Sequence, residues 1–134
     1  MTKVIAPEAK SAASRMLMSL MASDGRIAAS VLCSQHDVHA RYGGVVPELA
    51  ARRHIETVDT ITAEALRKAG MTWADIQAVA VTQGPGLAGA LLVGLSFGKS
   101  LAYALRVPLI GVYAKCRDGY GTFRLISAAT ITPA

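Results

Sequence analysis

Apolar residues fall along this chain in runs whose lengths and boundaries separate strands from helices. The run Ala78 to Thr82 stops at Gly84-Pro85-Gly86, a long stretch of small and leucine-type residues follows from Leu87 to Leu105, and a second apolar run, Pro108 to Val112, closes the unit. Short apolar runs bounded by turn residues read as strands, and a parallel pair needs a crossover of about a dozen or more residues. The pattern predicts strand, loop, helix, strand: a βαβ unit of an α/β domain.

Upstream, Met16 to Ala22 and Ile27 to Cys33 are apolar runs separated by Ser23-Asp24-Gly25-Arg26. Asp-Gly tolerates the positive φ of tight turns, so the pattern predicts antiparallel strands over roughly 16–22 and 26–34. Val4-Ile5-Ala6 has the composition of a very short strand, but residues 1–15 otherwise show no periodicity. A longer helix is marked at both ends. Pro47 suits a first helical turn, Glu48 complements the dipole there, and Arg67 and Lys68 precede Gly70, a C-cap signal. Leu49, Ala50, Val58, Ile61 and Ala65 keep one apolar stripe, with Arg52, Arg53, Glu56, Asp59 and Glu64 mostly off it, so residues 47–69 are predicted to form an amphipathic helix. Thr72 or Asp75 is placed to cap a brief turn before the strand at 78–82.

A length of 134 residues suits one domain and not two ordinary ones. The formal charge of +5 invites a nucleic-acid reading until it is divided along the chain. Residues 1–22 hold three basic residues and one acidic, residues 113–134 hold the same, and residues 23–112 hold eight basic against seven acidic. The excess lies at the ends, which argues against a basic groove on the folded part. Cys33 and Cys116 belong to no Cys-x-x-Cys pattern and read as two reduced thiols in a cytoplasmic protein. No charged head followed by an unbroken apolar segment opens the chain, and Lys99 lies inside the apolar stretch 86–105. A buried helix is expected there, and no membrane partner.

Candidate chemistry is sparse. Gly84, Pro85 and Gly86 sit where a strand ends and a helix begins, a position at which free N–H groups and the helix dipole favour an anion; a tight turn without a ligand is the alternative. A Walker A match at Gly94 to Ser100 fails, because three residues separate the glycines instead of four and the match lies inside a helix. Ala90, Gly94, Gly98 and Ala102 recur every fourth residue and form a small-residue stripe that admits a close neighbour, inside the domain or from a partner subunit. His36 and His39 lack the further ligands of a metal site and read as solvent-exposed loop histidines.

The assembled segments resemble a known family. His39-Ala-Arg-Tyr-Gly-Gly-Val-Val-Pro-Glu-Leu-Ala-Ala-Arg-Arg-His54, Val81-Thr-Gln-Gly-Pro-Gly-Leu-Ala-Gly-Ala-Leu-Leu-Val-Gly94 and Pro108-Leu-Ile-Gly-Val112 look like the tRNA N6-adenosine threonylcarbamoyltransferase family, formerly called O-sialoglycoprotein endopeptidase or glycoprotease. The resemblance covers residues 23–112 and corresponds to the N-terminal third of a family member. It implies part of an actin-like, Hsp70-like ATPase (ribonuclease H-like) lobe, a mixed sheet with flanking helices. It also implies transfer of a threonylcarbamoyl group from its adenylate to N6 of the tRNA adenosine beside the anticodon, with one divalent metal, iron or zinc. The implied partners are a related non-catalytic subunit of the same fold, forming a heterodimer, an ATPase accessory subunit and tRNA. Helices matching 47–69 and 87–105 would help form that dimer, which makes Pro47, Glu48, Ala90, Gly94, Gly98 and Ala102 candidate interface residues.

The departures from the family pattern limit what is carried over. Its Cys-Asp-Glu-Thr loop has no counterpart in Val4 to Arg15, its Asn-His and His-x-x-x-His residues are replaced by Tyr113-Ala-Lys-Cys-Arg117, and no histidine follows His54. No catalytic or metal residue is carried over, and no cofactor is expected to be retained. The chain is therefore divided into an atypical segment 1–22, a partial lobe 23–112 and an atypical tail 113–134, consistent with a reading frame disrupted at each end. The expectation is a truncated form inactive on its own. A non-catalytic module pairing with the related subunit is the alternative, and a metalloprotease is disfavoured because the histidine pair is gone. Poor solubility is expected, because a sheet lacking strands leaves unpaired edges.

Overall fold

In a computed structural model, the structure describes residues 4–6, 15–22, 24–116 and 123–131, with side chains for 15–22, 24–35, 37 and 39–113. Six strands form one sheet: β1 (Val4–Ala6), β2 (Arg15–Met21), β3 (Ile27–Ser34), β4 (Ala78–Gly84), β5 (Leu109–Cys116) and β6 (Phe123–Ile131). Three helices, α1 (His36–Ala40), α2 (Pro47–Ala69) and α3 (Ala88–Leu105), and a 3-10 turn at Trp73–Asp75 complete the described elements. The spatial order is β3-β2-β1-β4-β5-β6. β1, β2 and β3 form an antiparallel meander, β4 is parallel to both β1 and β5, and β6 runs antiparallel to β5.

The expected hairpin and βαβ unit are both present, with shifted ends. β2 lies within 1–22 and pairs along its length with β3, from Arg15↔Ser34 to Met21↔Ile27. β5 continues past Val112 to Cys116 and carries β6 on its outer edge.

Alternation along β2 sends Met16, Met18 and Leu20 to the face covered by α2 and α3, where they join Val79 and Val81 of β4, Leu109 of β5, Val58, Ile61, Ala65 and Leu66 of α2, and Ala102 of α3 in one buried cluster. A cavity of about 30 Å³, lined wholly by apolar surface, remains in this layer beside Met16, Val58, Val81, Gly94, Phe97 and Leu101.

Both long helices close with the same pair of hydrogen bonds. After α2, Gly70 N–H bonds Arg67 O and Met71 N–H bonds Leu66 O; after α3, Arg106 N–H bonds Tyr103 O and Val107 N–H bonds Ala102 O. This is the Schellman arrangement, which needs a left-handed residue after the helix. Gly70 supplies it at φ 63° without steric cost, whereas at the end of α3 the residue is Arg106 at φ 56°. The brief turn is capped as expected, the Thr72 N–H and hydroxyl both bonding Asp75 Oδ2. Cys33 is a half-buried free thiol.

Candidate functional site

Because β2 reverses the chain between β1 and β3, the strands β1, β3, β4 and β5 all run the same way, and their C-terminal ends share one end of the sheet. In open α/β sheets that end is where ligands bind. The Gly84-Pro85-Gly86 turn lies there, ahead of α3. The first bond of α3 runs from Leu91 N–H to Leu87 O, Leu87 offers no side-chain cap, and no acidic residue occupies the first turn. The leading N–H groups of α3 therefore lack intrahelical partners at the positive end of the dipole, and Pro85 and Gly86 ahead of them are exposed.

Two glycines of this region are covered by side chains of the neighbouring strand. The Tyr113 ring packs over Gly84, 2.7 Å from where a Cβ would lie, and the Gln83 side chain lies over Gly111. The β4–β5 ladder shifts register between Thr82 and Gly84, so Gln83 is the extra residue of a bulge. Bulges re-aim side chains at the ends of ladders, and here the redirected side chain fills the space above a glycine.

The candidate interface residues separate into two groups. Pro47 and Glu48 are exposed, with Glu48 ion-paired to Arg52 at 2.7 Å. Ala90, Gly98 and Ala102 are buried. A methyl on Gly98 would fall on Val81 Cγ1 and lie 3.6 Å from Leu109 Cδ1, while Gly94 borders the apolar cavity. The chain's own sheet thus takes up the close approach that the glycine of the stripe allows. Further along, Gly89 faces Ala51 of α2, a Cβ there lying 3.3 Å from the Ala51 methyl. What α3 leaves outward is a different face, with Leu92 62% and Tyr103 81% exposed at its two ends and Lys99 between them. On α2, Ile55 is 62% exposed.

The reading of His39 as a solvent-exposed loop residue is corrected. Residues 36–40 form a short helix, and His39 is buried with its Nδ1 accepting from the Val46 N–H at 3.3 Å. Gln35 and His54 are buried too and lie 2.7 Å apart, an arrangement the residue patterns left unnoticed. One signal was available: His54 lies on the α2 stripe of Ala50, Val58, Ile61 and Ala65. The side chain of His36 lies outside the described residues. Among the described residues no three His, Cys, Asp or Glu side chains gather as a metal set, so these residues do not fit the family's divalent metal.

Glu64 bonds Arg67 at 2.7 and 2.8 Å and lies 3.6 Å from Lys68, and the hydrogen bonds from Arg67 hold its carboxyl below the ordinary glutamate value. Asp24 is lowered in the same way by Arg26. α3 is the one described helix with the length and composition to cross a membrane; one face packs on the sheet, but only Ala90, Gly98 and Ala102 are buried, so the expectation of a buried helix is corrected to a helix half open on its outer side.

The fold defines the class first. Solved structures of YeaZ from Pseudomonas aeruginosa (TM-score 0.59, 19% identity, 99% of this chain and 68% of that one) and of Thermus thermophilus RuvC with a Holliday junction (TM-score 0.50, 16% identity, 84% and 65%) share it, the actin-like, ribonuclease H-like fold. A family model described as tRNA N6-adenosine threonylcarbamoyltransferase matches residues 26–114, and the chain belongs to that family. Relatives bearing that name include those of Geotalea uraniireducens, 60% identical over 90 residues (66% of this chain, 26% of the relative), and Bacillus subtilis, 53% over 87 residues (65% and 25%). The relative from Clostridium perfringens strain SM101 is 46% identical over 112 residues (84% and 33%). The chain thus spans about a quarter to a third of the length of these relatives.

Proposed function

We propose that this chain carries the N-terminal sheet and helix pair of a threonylcarbamoyltransferase lobe, and that it is inactive alone. In the whole protein this lobe would serve transfer of threonylcarbamoyl from its adenylate to N6 of the tRNA adenosine beside the anticodon. The observation that carries the reading is the family match across 26–114. Inactivity is supported by the sequence, in which Tyr113-Ala-Lys-Cys-Arg117 stands where the family pattern has its histidine pair. The test is threonylcarbamoyl transfer to unmodified tRNA by the purified chain, with a full-length relative as control. Turnover by the chain alone would sink the claim of inactivity.

A second reading, a non-catalytic module that pairs with a subunit of the same fold, is supported by the exposed Leu92, Tyr103 and Ile55 on α3 and α2. Exposed apolar residues of this kind suit the centre of a protein interface. Pro47 and Glu48 at the start of α2 would belong to its rim, and the related subunit, an ATPase accessory subunit and tRNA are its proposed cytoplasmic partners. Co-purification with the related subunit, lost on Leu92→Asp and Tyr103→Asp, distinguishes this reading from a chain with no partner. A segmentation at 22 and 112 is retained within the proposal, with the Gly84-Pro85-Gly86 turn as its candidate anion contact.

A further inference from the structure

Three side chains that the functional reading leaves unused form a buried polar cluster where β3 hands over to α2. Gln35, His39 and His54 are 1%, 4% and 4% exposed. His39 Nδ1 accepts from the Val46 N–H, and a ring nitrogen that accepts carries no proton, so neutral His39 holds its proton on Nε2. That Nε2 is buried and has no partner.

His54 Nδ1 lies 2.6 Å from Ala50 O and so donates to it, while the Gln35 amide nitrogen is 2.7 Å from the same Nδ1. The other amide atom of Gln35, Oε1, is buried without a partner. Turning the amide by 180° places Oε1 against the Nδ1 proton and the –NH₂ group in the partnerless position. Because His54 Nδ1 bears a proton, the turned orientation is the one that bonds it, which leaves the Gln35 –NH₂ group and the Nε2–H of His39 unsatisfied, and buried polar groups in folded proteins are paired.

His39 N–H bonds Gln35 O at 3.3 Å, and side chains four apart on a helical turn lie on one face. We infer that a single water molecule is bound between His39 Nε2 and the Gln35 amide. Water, with two lone pairs, accepts from both the Nε2–H and the –NH₂ group. A bare anion there would bear the full cost of a buried charge, and a cation is opposed by the two N–H groups. The bridge ties the end of β3 to the first turns of α2, through His39 to Val46 and through His54 to Ala50. It thereby holds residues 41–46 at the same end of the sheet as the glycine turn.

The test uses the full chain labelled with 15N at histidine. The His39 Nε2–H proton is expected to be observable and to show cross-relaxation to a bound water. Gln35→Met, which removes one arm of the bridge, is expected to lower hydrogen-exchange protection of the Val46 amide by about tenfold. A crystal structure should place an oxygen within hydrogen-bond distance of both groups. A protein oxygen or an empty space at that position overturns the inference, as does an Nε2 without a proton. If Gln35→Met fails to fold, the unmodified chain's spectrum decides.

Discussion

Gly98 of α3 lies against Val81 of β4 so closely that a methyl group at Gly98 would overlap Val81 Cγ1. Overpacking of this kind typically costs about 1–3 kcal/mol, more than the roughly 1 kcal/mol that Ala gains over Gly within a helix. Gly98→Ala is therefore expected to destabilise the chain, and Val81→Ala in the same molecule to recover part of the loss. Urea midpoints for the two single variants and the double variant measure the coupling; additive losses would contradict the contact.

Gly94, one turn earlier, has nothing within 4 Å of a built Cβ and borders the apolar cavity. Gly94→Ala is expected to raise stability by about 0.5–1 kcal/mol, because it removes backbone freedom from the unfolded chain and adds a methyl without a clash. The same substitution thus has opposite signs at two positions of one stripe, and thermal unfolding reads both.

Arg106 holds a left-handed conformation that costs a non-glycine residue roughly 1–2 kcal/mol. Arg106→Gly keeps both Schellman bonds of α3 and should raise the melting temperature. An unchanged or lower value would mean that the Arg106 side chain contributes contacts outweighing the backbone strain.

Glu64 has its folded pKa lowered by Arg67, from an ordinary value of 4.5. A depressed carboxylate adds stability that is complete above its unfolded pKa and lost as pH falls through the folded one. The stability difference between the native chain and Glu64→Gln is expected to be constant at neutral pH and to shrink below about pH 4.5. It should also weaken in high salt, because the pair is exposed.

Edge strand β3 carries no charged residue in Ile-Ala-Ala-Ser-Val-Leu-Cys-Ser, and Ile27 and Leu32 are 58% and 55% exposed. Uncharged edges invite pairing with other chains. Concentration-dependent association in size-exclusion chromatography is expected, relieved by Leu32→Lys; a monodisperse monomer at every concentration would refute it.

The residue patterns disclosed the hairpin, α2 with its proline start and Gly70 stop, and the βαβ unit, because each is encoded locally by turn residues and periodicity. They did not disclose what depends on neighbours far apart in sequence. The direction of the small-residue stripe is set by Val81 and Leu109, and the burial of His39 comes with the short helix 36–40, where its Nδ1 contact to Val46 joins residues seven apart. β6 lay beyond reach as well, since residues 123–131 form a strand through pairing with β5. For the candidate site, the sequence located the Gly84-Pro85-Gly86 turn but gave no sign that Tyr113 and Gln83 would cover its surroundings.

That exchange of cover between β4 and β5 has a consequence for how this region can vary. Gln83 occupies the space over Gly111 and Tyr113 the space over Gly84, each strand supplying the side chain that the other lacks. A side chain at Gly84 requires the Tyr113 ring to move, whereas one at Gly111 requires only the amide end of exposed Gln83 to swing aside, so linkage should be strong for the pair 84 and 113 and weak for the pair 83 and 111. Selection from a library randomised at these four positions would therefore return linked combinations at 84 and 113 and more independent preferences at 83 and 111.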